Sequence, residues 1–574
     1  MSERVISFGH FSKGLTIHMQ TRPTHRREPT YDKRTAFVRQ AAILAVSATI
    51  VRIMGFAYRL PLTHIIGDEG NGIGGIGHTI YLFFFILSSA GLPVAISKMV
   101  SERIAAGRPD EARRVFHISL AVAFLLGSVL TGVLALSSEF IVNMVGSHRS
   151  YYALLALAPT VFVVSVMSVF RGYFQGMQNT APTAMSQLIE QLFLAVFSVL
   201  LAYVFMQMAL PYEYGGDPVA YGAAGGQLGK SIGALAGLMF IGGYYLHKRR
   251  EINQSIHYYT VGQKNKRQGA FSIVRELGFI AVPLILGTAI FSMSNIIDMV
   301  MVQRRLEVAG IMDGAMREAL YGQLVGKYVT ITNLPVGIST ALAIVAIPSI
   351  AASIIKRNHK DVNEKINTAI RISMLISIPS AVGIGVLANQ ILLLMFPSHP
   401  EGGTLLAVGS ISILFLAFYQ IIAGMLQAVG KLHIPVIAAF VGAFIKIPLN
   451  FVLIAHPSIN IVGAVISTTV CYAVASGICW HFFKKYIKFR IDIANTFIKP
   501  AAAAIGMGLC CFIFYHMLYY IGLGNAFSTI SAIIFGVVVY FAFLLMLGGL
   551  RRNDVRLLPM GSRICAALER RGLI

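Results

Sequence analysis

The sequence predicts an all-α, polytopic membrane protein of about fourteen transmembrane helices, arranged as two parallel six-helix lobes and a C-terminal helix pair. Three observations predict it. Apolar residues make up 56% of the 574 and charged residues only 12%, too few to coat several water-facing cores. Apolar runs near 20 residues recur along nearly the whole chain, each long enough to cross about 30 Å of hydrocarbon. The cations sort to one side of these runs: of 47 Lys and Arg, about 38 fall on one face, four on the other and five within spans.

The elements follow in order. Residues 1–40 form a basic tail with Arg22, Arg26, Arg27, Lys33 and Arg34. It is too long and polar for a cleavable leader and reads as a cytoplasmic extension resting on anionic lipid. The first six spans, near 41–62, 77–100, 115–136, 151–174, 180–206 and 221–246, make an N-lobe over 41–246. A basic cytoplasmic connection covers 247–276. The next six, near 277–302, 326–353, 366–388, 404–428, 433–456 and 461–484, make a C-lobe over 277–484. The last pair, 497–520 and 527–549, lies with its preceding basic loop in 485–550, and 551–574 is a basic cytoplasmic tail. An even count puts both termini on one side, and the basic segments on that side make it the cytoplasmic side of the plasma membrane. The net charge of +23 is then a topology signal plus attraction to anionic membrane lipids, and nucleic acid is not needed as a partner.

Gln303–Gln323 falls on the outside yet carries Arg304, Arg305 and Arg317 with Glu307, Asp313 and Glu318. It reads either as a mixed-charge loop or as an amphipathic helix on the membrane surface. Four of the five cysteines (Cys471, Cys479, Cys510, Cys511) lie within spans and Cys565 in the tail, so no disulfide framework or zinc spacing follows.

The lobes are inferred from a repeat. Gly172-Tyr-Phe-Gln175 followed by Pro182 recurs as Gly424-Met-Leu-Gln427 followed by Pro435. Pro93-Val-Ala-Ile96, a basic loop and Glu111 recur as Pro348-Ser-Ile-Ala351, a basic loop and Glu364. Six spans separate equivalent points, so both copies enter the membrane in the same direction, an arrangement used for alternating access.

Charges inside spans mark candidate sites, because they are expensive at bilayer depth. Arg52 and Arg59 are seven residues apart, about two helical turns, and project from one face, either into a cavity that receives something anionic or as cations that snorkel to an interface or pair with a buried carboxylate. Lys327 reads either as a further cation in the same cavity or as an interfacial snorkeller. Glu190 and Lys230 read as an internal pair. Lys98 and Arg171 sit at cytoplasmic span ends, as topology anchors or as ligands for an incoming head group. Lys446 and Asn450 share a helix face four residues apart, with Asp298 as a third buried polar group. Gly72-Ile-Gly-Gly-Ile-Gly77 and Gly225-Gly-Gln-Leu-Gly-Lys-Ser231 are discounted as nucleotide motifs. The first reads as a flexible gate or tight helix start in an outer loop, the second as a helix-packing surface.

Val51-Arg-Ile-Met-Gly-Phe-Ala-Tyr-Arg59, Ile66-Gly-Asp-Glu-Gly70, Ala90-Gly-Leu-Pro-Val-Ala-Ile-Ser-Lys98, Arg171-Gly-Tyr-Phe-Gln-Gly-Met-Gln-Asn179 and Lys365-Ile-Asn-Thr-Ala-Ile-Arg371 together resemble the stage V sporulation protein B group of polysaccharide transporters. That group belongs to the multidrug/oligosaccharidyl-lipid/polysaccharide flippase superfamily, with the lipid II flippases. The resemblance spans roughly residues 36–550 and implies a bacterial flippase, not an enzyme, that exports an undecaprenyl-pyrophosphate-linked saccharide without a cofactor. It also implies cell-wall synthases as partners, a role in peptidoglycan synthesis or sporulation, and a groove for the lipid tail at the terminal pair. Some lipid II flippases hold a sodium ion between the seventh, eleventh and twelfth helices. Asp298 and Asn450, with Thr468 or Thr469, occupy comparable places here, but Lys446 departs from the pattern and predicts an ion pair with Asp298 and no bound metal. The alternative is a cation-coupled multidrug-type antiporter, which more naturally carries carboxylates and usually ends after twelve spans.

Overall fold

The computed structural model describes residue 44 and residues 46–209, 216–260, 268–355, 359–431, 433–487 and 491–549. The tail residues from Arg22 to Arg34 and Cys565 lie outside them. Every regular element among the described residues is helical. The first half runs α1 (Val46–Ala57), α2 (Arg59–Ser89), α3 (Leu92–Ala105), α4 (Pro109–Val145), α5 (Tyr151–Gly176), α6 (Ala181–Ala209) and α7 (Pro218–Thr260). Next come α8 (Ala270–Val308), the short α9 (Gly314–Gly322), a π-turn at Gln323–Tyr328, and α10 (Val329–Ile355). Then follow α11 (His359–Val386), α12 (Ala388–Met395), α13 (Gly403–Gly409), α14 (Ser412–Ala428), α15 (His433–Leu453) and α16 (Val462–Tyr486). A π-turn at Ala494–Ile498 leads into α17 (Lys499–Tyr520), and α18 (Gly524–Met546) ends the order.

Each apolar segment read from the sequence carries a helix. Among the described residues nine stretches are long and apolar enough to cross a membrane, and α13 with α14, bent by 42°, make a tenth. The first echo sits alike in both copies: Gly172–Gln175 and Gly424–Gln427 end α5 and α14, and Pro182 and Pro435 lie in the first turns of α6 and α15; in the second echo Pro93 opens α3 whereas Pro348 lies inside α10. Helices α2 to α7 pack on one another; α10, α11, α14, α15 and α16 form a second set, with α17 docked on α11 and α18 paired with α17. Helix α8 touches α2, α3 and α4 on one side and α15 on the other.

Two outer segments depart from the sequence reading. No loop spans 63–76. Helix α2 passes through it and breaks only at Gly67, whose φ of 67° a residue with a Cβ rarely adopts. The glycines beyond serve close approach rather than turning. A Cβ on Gly72 would lie 1.8 Å from the Glu318 carbonyl oxygen, and one on Gly322 would lie 1.8 Å from that of Asp68. The second departure is α9, which is not a surface-lying helix. Asp313 caps it by accepting from the Ala315 amide at 3.0 Å, and Glu318, Leu320, Tyr321 and Gly322 are buried. The outer arginines are consumed by carbonyls: Arg304 donates to Met144 O at 2.9 Å, at the end of α4, and Arg305 donates to Phe451 O at 3.0 Å. Helix C-terminal carbonyls favour cations, which explains positive charge at these helix ends.

The 225–231 run is helical, as packing glycines require. Cβ atoms on Gly225, Gly229 and Gly233 would lie 2.3, 2.2 and 2.6 Å from Leu201 O, Ser198 N and Glu190 O. The four-residue spacing presents one bare stripe on which α6 backbone lies. Gly229→Leu is expected to cost more than the ~1–3 kcal/mol typical of overpacking, because it meets main chain. Gly242→Ala, with nothing within 4 Å of its Cβ, should be silent. Thermal unfolding of the two variants in detergent checks this.

Candidate functional site

The first-helix arginines reach across to α10. Tyr58 keeps helical backbone angles, so α1 runs into α2 and presents Arg52 and Arg59 on one face. Arg52 donates from Nη1 to Gly337 O at 3.0 Å. Arg59 donates to the Thr330 hydroxyl and to Val325 O, the latter at 3.3 Å. Arg52 lies opposite Gly337 and Arg59 opposite Thr330, a matched antiparallel register of seven residues on each side. Both forks end on neutral acceptors, and among the described residues neither meets a carboxylate.

Arg59 has cationic company. Its charge acts on Lys230 of α7, and both act on the ring of His78 in α2. Lys230 does not pair with Glu190, contrary to the sequence reading. Glu190 accepts from Arg171 Nη2 at 2.7 Å, while Arg171 Nε donates to Ser186 Oγ at 3.0 Å. The physical reason is rotation: α6 turns Glu190 towards α5, which also spends Arg171 on an internal bond rather than on an incoming anion. Lys98 remains exposed, 3.9 Å from Glu102, beside a cleft of about 500 Å³ between α3 and α8 that Arg275 and Glu276 also line. Buried Arg103 holds Glu276, one of the lining residues, by donating to it at 2.7 Å, and donates to Gln268 at 2.7 Å.

Lys327 is not an open cavity cation in this conformation. It is 1% exposed, and its ammonium donates to Asp68 Oδ2 at 2.6 Å, His399 O at 2.6 Å and Glu401 O at 3.0 Å. All three protons are used. The π-turn carrying Lys327 widens the helix by one residue and directs this side chain at Asp68. A second knot lies beside it. Arg149, just before α5, meets Glu69 at 2.5 Å, Glu318 at 2.9 Å and Asp217, while Ser147 donates to Glu318 at 2.5 Å. Burial pushes the Glu318 carboxyl up, partly offset by Ser147 and Arg149. Burial also acts to raise Asp217, but bonds from Arg149 and the Ala220 amide outweigh it and hold this carboxyl below its ordinary range. Asp217 therefore stabilises the knot above the ordinary range and loses that contribution as pH falls through the depressed value. Together the knots bolt α2 to α9, the π-turn and the segment before α13.

Asp298 of α8 forms the third polar centre. Its Oδ2 accepts from the Lys446 ammonium and its Oδ1 from Asn450 Nδ2 at 2.7 Å. Thr468 and Thr469 instead donate to carbonyls of their own helix, Ala464 O at 2.7 Å and Val465 O at 2.9 Å. This donor set does not fit a sodium ion: an ammonium already lies against the carboxylate, and both carboxylate oxygens are engaged.

Sequence reasoning missed the partners of Lys327, Asp68 and the 399–401 backbone, and missed Arg149 altogether. The signal for Asp68 was present as an acid beside a glycine next to a span. The sequence did not say what lay opposite.

Comparison with known proteins completes the description. The profile of the family described as "Polysaccharide biosynthesis protein" matches residues 37–353, more than half of the chain, and the MatE profile matches residues 323–452. Stage V sporulation protein B of Bacillus subtilis (strain 168) is 27% identical over 536 residues, covering 92% of this chain and 99% of that relative. Lipid II flippase MurJ of the same organism is 26% identical over 488 residues, covering 82% and 87%. Among solved structures, lipid II flippase MurJ in an inward closed conformation superposes with a TM-score of 0.64 at 16% identity, covering 88% of this chain and 98% of that one. An inward-facing multidrug resistance MATE transporter gives 0.59 at 16% identity, covering 77% and 98%. The chain therefore belongs to the polysaccharide biosynthesis protein family and has the MurJ- and MATE-like transporter fold.

Proposed function

We propose that this member of the polysaccharide biosynthesis protein family is a flippase that exports an undecaprenyl-pyrophosphate-linked saccharide, lipid II or a related peptidoglycan precursor, across the bacterial plasma membrane. Two lobes, α1–α7 and α8–α16, alternate access to a cationic cavity between them, both termini are cytoplasmic, and α17–α18 offer an apolar groove to the lipid tail. One observation carries the reading. Arg52 and Arg59 span from the first helix to α10 and end on neutral acceptors, so an anionic head group can replace those acceptors with stronger, charge-assisted bonds. The kinship with a lipid II flippase and a sporulation protein supports the substrate class. A multidrug antiporter is the poorer fit, because the facing residues are cations.

The test is translocation of labelled lipid II in vesicles reconstituted with the full chain. Rapid, protein-dependent flipping is expected. A folded protein that leaves lipid II and other polyprenyl-pyrophosphate saccharides unflipped removes the reading.

In this scheme the Lys446 ammonium stands in for a coupling cation at Asp298. Asp298→Asn or Lys446→Gln alone leaves one buried charge unpaired, a loss on the order of 3–5 kcal/mol. The double variant should transport far better than either single variant. Equal and independent losses in a double-mutant cycle of flipping rates would show that the two groups act separately.

A further inference from the structure

Lys230 is placed by the close packing around it. Along α2 and α7 the facing positions step in register: a Cβ on Gly222 would meet Ile66 at 3.2 Å, and one on Gly226 would meet Leu62 at 3.3 Å. One turn further brings Tyr58, with Arg59 next to it, opposite Lys230. Beyond the Gly67 break the two helices run parallel, and Gln227 Nε2 donates to Gly74 O at 3.0 Å. One turn on from that bond lie His78 and Lys230. Ser231 fixes the height by donating to Ala156 O at 2.6 Å on α5. The two limbs of α2 and the facing stretch of α7 thus place a guanidinium, an ammonium and an imidazole in one neighbourhood, with the Arg59 fork held at Thr330 and Val325.

Among the described residues no carboxylate neutralises them. Lys230 makes no hydrogen bond or ion pair among the described residues, and the one charge acting on it is the like charge of Arg59. The His78 ring stacks on Tyr81 at 5.7 Å, and its enclosed Nδ1 has no partner. The nearby acid, Glu190, is spent on Arg171. Snorkelling does not rescue Lys230. It lies twelve residues into α7, about 18 Å from the outer end at 1.5 Å per residue, beyond the reach of a lysine side chain. A cation left unpaired at this depth usually faces the bundle interior or a water-filled cavity and marks a functional site.

We propose that Lys230, with Arg59 and His78, forms a phosphate-binding subsite for a pyrophosphate group, one that holds the anion between α2 and α7 of the first half. This deepens the proposed function and rests on its pyrophosphate reading. Lys230 supplies a compact point charge, Arg59 a planar fork and His78 a ring nitrogen, so the subsite counts charge and leaves the sugar to other surfaces. The arrangement also implies that the empty subsite is strained by like-charge repulsion, which a bound dianion relieves.

The experiment uses the purified full chain in detergent, with inorganic pyrophosphate and farnesyl pyrophosphate as probes, reading binding by titration calorimetry and stability by thermal unfolding. Lys230→Met is expected to weaken both probes roughly 10- to 100-fold, as loss of a charge-assisted bond predicts, and to raise the melting temperature of the ligand-free protein. Lys230→Arg should keep binding within about 3-fold. A merely structural lysine gives the opposite pattern, a lower melting temperature with unchanged affinity, and that result overturns the subsite. Weakening confined to inorganic pyrophosphate assigns Lys230 to a soluble anion and removes it from the lipid path. If Arg59→Ala loses binding while Lys230→Met does not, the subsite alone fails. If the wild-type chain binds neither probe, the pyrophosphate reading fails with it.

Discussion

Arg59→Ala is expected to slow lipid II flipping by about 100-fold while leaving the fold intact, and Arg52→Ala by about 10-fold. The asymmetry comes from surroundings. Arg59 is half-buried beside Lys230 and His78, where its bond to an anion is little screened, whereas Arg52 is exposed. Hydrogen bonds to charged groups contribute about 1.5–3 kcal/mol, and each 1.4 kcal/mol is a factor of ten. Arg59→Lys should recover only part of the rate, because an ammonium cannot fork across two phosphate oxygens. Initial flipping rates in vesicles of matched protein content measure this, with melting temperature as the control for folding. Rates within 3-fold of wild type for Arg59→Ala would place the grip elsewhere.

Lys327→Ala carries the second large effect, on conformation rather than on binding. It strands the Asp68 carboxylate at 7% side-chain exposure and leaves two backbone carbonyls without their donor. Breaking one side of a buried pair costs about 3–5 kcal/mol, enough to loosen the seal that the two knots make between α2 and α9. Thr79, whose hydroxyl lies 3.1 Å from Tyr321 OH beneath α9, reports on that seal. In a background without native cysteines, Thr79→Cys should label slowly with an impermeant thiol reagent, and Lys327→Ala should speed labelling at least 10-fold. Asp68→Asn combined with Lys327→Met should slow it again. Continued fast labelling in the double variant would mean that the carbonyl contacts, not the ion pair, hold the seal.

Much of this was legible before any coordinates. Twenty-residue apolar runs can only be helices in lipid, because an unpaired backbone group has no water to turn to. The spacing of Arg52 and Arg59 placed both on one face, and that of Lys446 and Asn450 did the same, because helical period is a local property. What escaped depends on how helices rotate against one another. Glu190 had Lys230 and Arg171 as candidate partners, and only the seating of α6 on the glycine stripe of α7 turns it to Arg171. Gly72 to Gly77 read as a loop because glycine usually breaks helices; here the missing side chains make room for the Glu318 and Leu154 backbone. Lys327 draws its acceptors from residues 68, 399 and 401, a convergence across both halves that local pattern does not encode.

The register that sets Arg52 against Gly337 and Arg59 against Thr330 has a kinetic consequence. With no cargo aboard, the groups that would seize a pyrophosphate clasp the opposite helix instead. Cargo and helix compete for the same fingers, so arrival of the head group is also release of the clasp. Under the proposed function an idle carrier is braked and a loaded one is freed, which would tie each turnover to a passenger and limit futile cycling of an empty cavity through the membrane.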